Sequence, residues 1–305
     1  MSTGGGSVRA VQPKSEPRRG RSFRIVALIF MAVLVLGLVA GFIVYRKYVA
    51  YEPKVAAHVP AMARAALRVD LTHVMFYEPF RRSLFPVADR FAQGVRSRRE
   101  RLDALGVRVN SDIREVLALQ GPGANDWALV LGGRLPRGLV ARSLAAVLRE
   151  EGRQVKEASG TYSLPETGLA FAEAADGAFV LASSEAALAP ALVVGQPDPI
   201  LAAGSGGVVV RNGTLPPPLG ALTASFRAGS TVEIRGRVEA SANSPMAEAL
   251  IRTLLQTIAG SDAAANSAIQ GIELTRDSSG IAFRLGLPRE AVLGVIELLS
   301  QRIPG

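Results

Sequence analysis

The run from Ile25 to Tyr45 constrains this chain more than any other feature. It holds 21 residues with no charge and no proline. As a helix rising about 1.5 Å per residue it reaches roughly 30 Å, the thickness of a bilayer's hydrocarbon core. A buried helix of a globular protein would carry a polar stripe, and this run carries none. The reading is a transmembrane helix acting as a signal-anchor.

Orientation follows from the flanks. Arg18, Arg19, Arg21 and Arg24 stand immediately before the run. Arg46 and Lys47 follow it, and then Lys54 is set against Glu52. The basic excess lies on the N-terminal side, which places that side in the cytoplasm and exports the rest. Tyr45, Tyr48 and Tyr51 would form an aromatic belt at the outer interface. The expected location is the inner cell membrane, single-pass, with a periplasmic domain in the cell envelope. The rival is a cleaved signal peptide, with Val39-Ala40-Gly41 imitating a cleavage site. The apolar run is long for that role and continues past the site. Within it, Gly37 and Gly41 form a Gly-xxx-Gly pair, a spacing that lets two helices approach closely. It predicts a homodimer contact through the span.

Charge divides unevenly. The chain's net charge is +9, and residues 1–24 contribute +5 of it, which leaves +4 for the rest. The high isoelectric point therefore belongs largely to a short tail, and a nucleic-acid partner is not indicated. That tail is rich in Gly, Ser, Pro and Arg and reads as disordered.

The expected organisation is a tail at 1–24, a span at 25–45 and a linker at 46–62. A first ectodomain half then covers 63–200, and a second covers 201–305. Residues 65–71 read as a strand. Residues 79–101 read as a helix with an apolar face including Phe80 and Phe91, which Pro86 would kink. Asn110 or Ser111 would cap a short helix ending at Leu119. Residues 127–131 form a strand, 139–150 a helix, and 154–183 short strands with a turn at Ala175-Asp176-Gly177. Residues 185–194 read as a helix. The glycines of 204–207 read as a linker, followed by a strand at 208–210.

In the second half, Val232, Ile234, Gly236 and Val238 alternate with Glu233, Arg235, Arg237 and Glu239. That period of two marks a strand with one charged face. It belongs to a hairpin over 221–241 turning at Gly229. A helix at 245–258, a hairpin at 272–287 and a last helix from Pro288 complete the pattern. The fold class is α+β: antiparallel sheets packed by helices, in two halves of matching element order.

Chemistry is sparse. With no cysteine, thiolate metal sites, disulfides and cysteine nucleophiles are excluded. The two histidines are His58, read as solvated in the linker, and His73, read as structural. No nucleophile elbow, zinc-protease helix or phosphate loop occurs. No cofactor or metal is implied. Paired carboxylates such as Asp70 and Glu78 leave open a hydrolase of an envelope polymer. The segment 76–101 concentrates Phe and Arg. Phe80, Arg81 and Arg82 are the candidates there for contact with lipid or a partner, against a core helix with a solvated basic face.

Val59-Pro60-Ala61, the strand Leu67-Arg68-Val69-Asp70-Leu71, and Leu105-Gly106-Val107 with Asp112-Ile113 resemble a pattern in bacterial membrane-anchored proteins of unknown function. The likeness lies mainly in residues 59–195. It implies one N-terminal span and an exported α+β domain, and it carries no catalytic residues. The functional expectation is a non-enzymatic binding or scaffolding domain, with an envelope protein or polymer as partner.

Overall fold

The computed structural model describes residues 53–72, 100, 112–211, 213–240, 245–260 and 262–292. The chain divides into a unit ending at Tyr51 and a unit running from Glu52 to Gly305, and the described residues all belong to the second. Among the described residues no helix is long and apolar enough to cross a membrane. The expected span, with Gly37 and Gly41, lies outside them, as do Phe80, Arg81, Arg82, His73 and Glu78.

Among the described residues twelve strands form a single antiparallel sheet. They are β1 (Ala65–Asp70), β2 (Ile113–Gln120), β3 (Trp127–Gly133), β4 (Lys156–Ala158), β5 (Thr161–Ser163), β6 (Ala170–Glu173), β7 (Phe179–Ala182), β8 (Gly206–Val210), β9 (Leu219–Ala228), β10 (Val232–Ala240), β11 (Glu273–Asp277) and β12 (Gly280–Leu287). Their order across the sheet is β11-β12-β10-β9-β8-β1-β2-β3-β7-β6-β5-β4. The helices that lie wholly among the described residues are α1 (Val140–Glu150), α2 (Glu185–Ala191), α3 (Pro199–Ala202), α4 (Pro245–Ala259) and α5 (Ala263–Gln270), and residues 289–292 are helical as well. A 3-10 turn at Val55–His58 leads into β1.

The α+β reading and its antiparallel pairing hold. Two expectations change. The halves share one continuous sheet, because β1 pairs with β8 across the middle, Ala65 facing Val210 and Val69 facing Gly206. The glycines of 204–207 are therefore no linker. Gly206 and Gly207 lie in β8, where a Cβ on Gly207 would sit 2.6 Å from the Ile200 carbonyl. The helix expected up to Leu119 is strand β2. It pairs with both β1 and β3, and its alternation sends Glu115, Leu117 and Leu119 to one face. Two-sided pairing outweighs the local capping signal of Asn110 and Ser111.

The connectivity of the two halves matches. In the first, β1-β2-β3 run as a meander, a helix follows, and β7 returns to pair with β3, with β6 outside it. In the second, β8-β9-β10 run as a meander, two helices follow, and β12 returns to pair with β10, with β11 outside it. The register puts α1 and α4–α5 on the same face of the sheet. There α1 covers Tyr162, Phe171 and Phe179, while α4 and α5 cover Val238, Ile281 and Phe283. The opposite face of the first half is covered by the 3-10 turn, α2 and α3, which bring Val55, Leu188 and Leu201 onto Leu117 and Val130.

Helix starts follow local chemistry. Ser184 caps α2 at the Ala187 amide, Asp198 caps α3 at Ile200 and Leu201, and Asp262 caps α5 at Ala265. The start of α1 is served from a distance: the carboxylate of Glu173 in β6 accepts from the amides of Gly138 and Ala141.

Candidate functional site

The segment entering the domain is pinned at every step. The amides of Lys54 and Val55 donate to Glu115 Oε1 at 2.7 and 3.1 Å. Lys54 Nζ donates to the Asp176 carbonyl at 2.7 Å. The Ala56 and Ala57 carbonyls accept from the amides of Asp198 and Gly195. The Arg211 guanidinium reaches the Ala61 carbonyl. Such tethering is the reverse of a loose linker.

His58 corrects the sequence reading most sharply. Instead of being solvated, its ring is fully buried. Nδ1 lies 2.8 Å from the Ala191 carbonyl and Nε2 lies 3.1 Å from Asp176 Oδ2. Burial alone would push the Asp176 carboxyl up. The Ala178 amide, the bond to His58 and the charge of Lys54 outweigh it and hold the carboxyl below its ordinary value.

A buried ionic cluster lies beside this segment. Arg68 is 1% exposed and Glu115 is 0% exposed. Arg68 Nε donates to Glu115 Oε2 at 2.8 Å, and Nη1 donates to the Leu201 carbonyl at 3.0 Å. Asp70 Oδ2 stands 3.7 Å from Arg68 Nη2, and Asp70 Oδ1 accepts from the Thr72 amide. Among the described residues both Glu115 oxygens accept hydrogen bonds, from three N–H groups in all. Asp70 is engaged by Arg68 and a backbone amide in the same way.

An apolar cavity of about 250 Å³ opens at the adjoining end of the sheet. Its floor is Leu119 and Ala128, one wall is Ala187 and Ala191 of α2, and the other wall is residues 60–63. Trp127 and Met62 stand at its rim, 38% and 58% exposed, and Trp127 is the chain's sole tryptophan. The two polar side chains lining it already shape the β2–β3 turn. Gln120 Nε2 donates to the carbonyls of Gly123 and Ala124, and Asp126 Oδ2 accepts from the Gly123 amide. The cavity thus offers apolar contact and an indole, and among the described residues its lining carries no Ser, Thr, His or Lys side chain.

Elsewhere, one face of the second half is uncovered among the described residues and carries the alternating charges of β10. These pair internally. Glu233 accepts from Arg235 and Arg284 at 2.9 Å each, and Arg237 pairs with Asp277. The Ser279 amide, with Arg237 and the Ser279 hydroxyl, pulls the Asp277 carboxyl down to about 2. It is a solvated mixed-charge surface of neither sign. Among the described residues no group of His, Asp or Glu is placed to hold a metal ion.

Sequence reasoning missed the cavity, because its lining comes from three separate stretches of chain: 60–63, 119–128 and 186–191. The one available signal was a lone tryptophan beside a Gly-Pro-Gly turn.

No family model matches the chain, and no curated protein matches it significantly. Among solved structures the chain is similar to TP0453 in crystal forms I, III and IV, at 10–12% identity. The matches cover 82–83% of this chain and 97–99% of that one, with TM-scores of 0.46–0.49. A likeness at that level defines neither a family nor an activity.

Proposed function

We propose that this chain is a single-pass membrane protein. Its domain, exported to the cell envelope, binds a partner through an apolar group and performs no chemistry on it. The observation carrying this reading is the cavity beside α2. It presents Trp127, Met62 and an alanine-rich wall, while its two polar side chains are occupied in holding a turn. A volume of about 250 Å³ exceeds the roughly 150 Å³ cavity that takes benzene, so an apolar group of about bicyclic size fits. The hydrolase alternative gains no support from Asp70, which is held by Arg68 and the Thr72 amide.

The anchor and its orientation rest on the run of 25–45 and the arginines before it. The matched connectivity of the halves supports reading them as two copies of one ancestral unit.

Two measurements test the proposal. A reporter active only after export, fused after Gly305, should be active; activity of a cytoplasm-dependent reporter there would reverse the orientation. The full chain in phosphatidylcholine vesicles should bind 1-bromonaphthalene at the cavity, read as heavy-atom quenching of Trp127. Unquenched Trp127 emission at saturating probe would refute the cavity as a binding site.

A further inference from the structure

We propose that the chain's own segment 73–111 docks on an apolar floor left open, among the described residues, in the middle of the sheet. Its stripe of Phe76, Phe80, Leu84, Val87 and Phe91 seats on β1 and β2, and its arginines stay in water. Apart from Glu100 the segment lies outside the described residues. The inference is independent of the cavity, which opens on the other face of the sheet.

Register defines the floor. Leu67 of β1 is paired with Ala118 of β2 on one side and with Val208 of β8 on the other. Val69 is paired with Val116, and Ala118 with Leu129 of β3. Residues paired directly across strands share a face, and so does every second residue along a strand. Leu67, Val69, Val116 and Ala118 therefore stand together on one face. It is the face that carries α1, α4 and α5, since the same row continues through Leu129 and Leu181 to Phe171 in one direction and through Val208 to Ala224 in the other.

The described helices leave this floor bare. α1 packs on Tyr162, Phe171 and Phe179 of β5–β7, and α4 and α5 pack on Val238, Ile281 and Phe283 of β10 and β12. β1 and β2 lie between those two layers, sixth and seventh of the twelve strands. Leu67 is 43% exposed, Ala118 is exposed, and Val69 and Val116 are half-buried. None of the four belongs to a packed core on either face. Contiguous apolar residues at the centre of a sheet are costly to leave in water and mark a surface that another element covers.

Connectivity, sequence and size name the occupant. In the second half residues 211–218 join β8 to β9, whereas in the first half residues 71–112 join the corresponding strands β1 and β2. The added length leaves the end of one floor strand and returns at the start of the other, so both its ends are fixed beside the floor. Within it Phe76, Phe80, Leu84, Val87 and Phe91 recur at helical spacing, with Arg82 and Asp89 on the other side of that helix pattern. Strands about 4.8 Å apart make β8-β1-β2-β3 about 15 Å wide, which admits one helix of about 10 Å diameter. From Phe80 to Phe91 a helix rises about 17 Å, close to the roughly 20 Å that six strand residues cover.

The chain has no cysteine, so an introduced pair reports without background. The full chain in phosphatidylcholine vesicles carries Ala118→Cys together with Phe80→Cys, Leu84→Cys or Phe91→Cys, and with Arg82→Cys as the control. Disulfide formation under mild oxidation is followed by mobility in non-reducing gels. At least one stripe pair should close within a single chain about tenfold faster than the control, because docking raises the local thiol concentration. Equal rates overturn the proposal, and so do disulfides formed only between chains, which would give the floor to a second copy. Ala118→Cys alone leaves the segment unaltered. Its reaction with a charged maleimide should be slowed about tenfold or more relative to the urea-unfolded chain, and Phe80→Asp with Phe91→Asp should restore the rate. Far-UV circular dichroism verifies folding, and the disulfide rates decide the matter if the aspartate variant fails to fold. Fast labelling of Ala118→Cys in the otherwise unaltered chain, or protection that survives both aspartates, overturns the proposal.

Discussion

Replacing Glu115 by glutamine tests whether the buried ion cluster holds the domain together. The side chain is isosteric, so the effect is one of charge and proton placement. Glu115 meets three N–H groups with two oxygens: Arg68 Nε on Oε2, and the Lys54 and Val55 amides on Oε1. A glutamine has one oxygen and one NH2. Turned one way, its NH2 confronts Arg68; turned the other, it confronts both amides. Each orientation sets donor against donor in a site with no solvent access. Breaking one side of a buried ion pair costs about 3–5 kcal/mol. Against a net stability of about 5–15 kcal/mol that is a large fraction. With a slope near 3 kcal/mol per molar urea, the unfolding midpoint should fall by about 1–2 M. The assay is urea unfolding of the full chain in vesicles, followed by Trp127 emission. Arg68→Met and Glu115→Leu, each alone and then combined, complete a double-mutant cycle, in which the coupling should exceed about 1 kcal/mol. A midpoint within about 0.3 M of the parent for Glu115→Gln, or additive single variants, would refute the reasoning.

Phe171 is fully buried, stacked on Tyr162 at 5.3 Å and tilted against Phe179 at 6.0 Å. Phe171→Ala should cost about 3–5 kcal/mol and lower the Tm by about 10 °C in a thermal melt. A Cβ at position 236 would lie 2.3 Å from Phe283 Cζ and 2.7 Å from the Ala224 Cβ. Gly236→Ala should therefore destabilise by about 1–3 kcal/mol, read as a lower urea midpoint. The Asp176 carboxyl is held below its ordinary value, so its contribution is full above the unfolded value of 3.8 and is lost as pH falls through the folded one. Acid unfolding should thus begin below pH about 4 and be shallower in Asp176→Asn than in the parent. If the span self-associates, Gly37→Ile and Gly41→Ile should each weaken it in a membrane association assay, and unchanged association would remove that contact.

What the sequence disclosed was periodic and local. β10 was readable because its inward residues carry no charge and its outward residues nearly all do. The β11–β12 and β9–β10 hairpins announced themselves by Gly and Asp at the turns. α1 was readable from the spacing of Leu144, Val147 and Leu148, although its most deeply buried positions are Ala145 and Val147, and Leu144 and Leu148 are half-buried. What escaped was non-local. Nothing near Glu115 says that Arg68 will face it, and the pair exists only because β1 and β2 align Arg68 with Leu117 and Asp70 with Glu115. His58 sits in a stretch whose composition reads as linker, and its partners come from 118 and 133 residues away. β2 was misjudged because Asn110 and Ser111 carry the chemistry of a helix cap. Its pairing with strands on both sides is written in residues far from it. The cavity shares this blindness, since its walls meet only once α2 has docked on the sheet.

The pairing of β1 with β8 also orders events in time. The first half can zip from β1 through β2 and β3 outward to β4 as soon as those residues are available. The strand it begins with then remains an open edge, because its second neighbour lies beyond α3. Contacts between such distant residues form late and slow the folding of the whole domain. Until Gly206–Val210 arrive, β1 offers a row of unpaired amides and carbonyls to any passing strand. A chain emerging N-terminus first would spend that interval vulnerable to wrong partners, and a fragment ending before residue 206 would remain so permanently. The seam that unites the halves is therefore also the point where the nascent molecule most needs protection from its own kind.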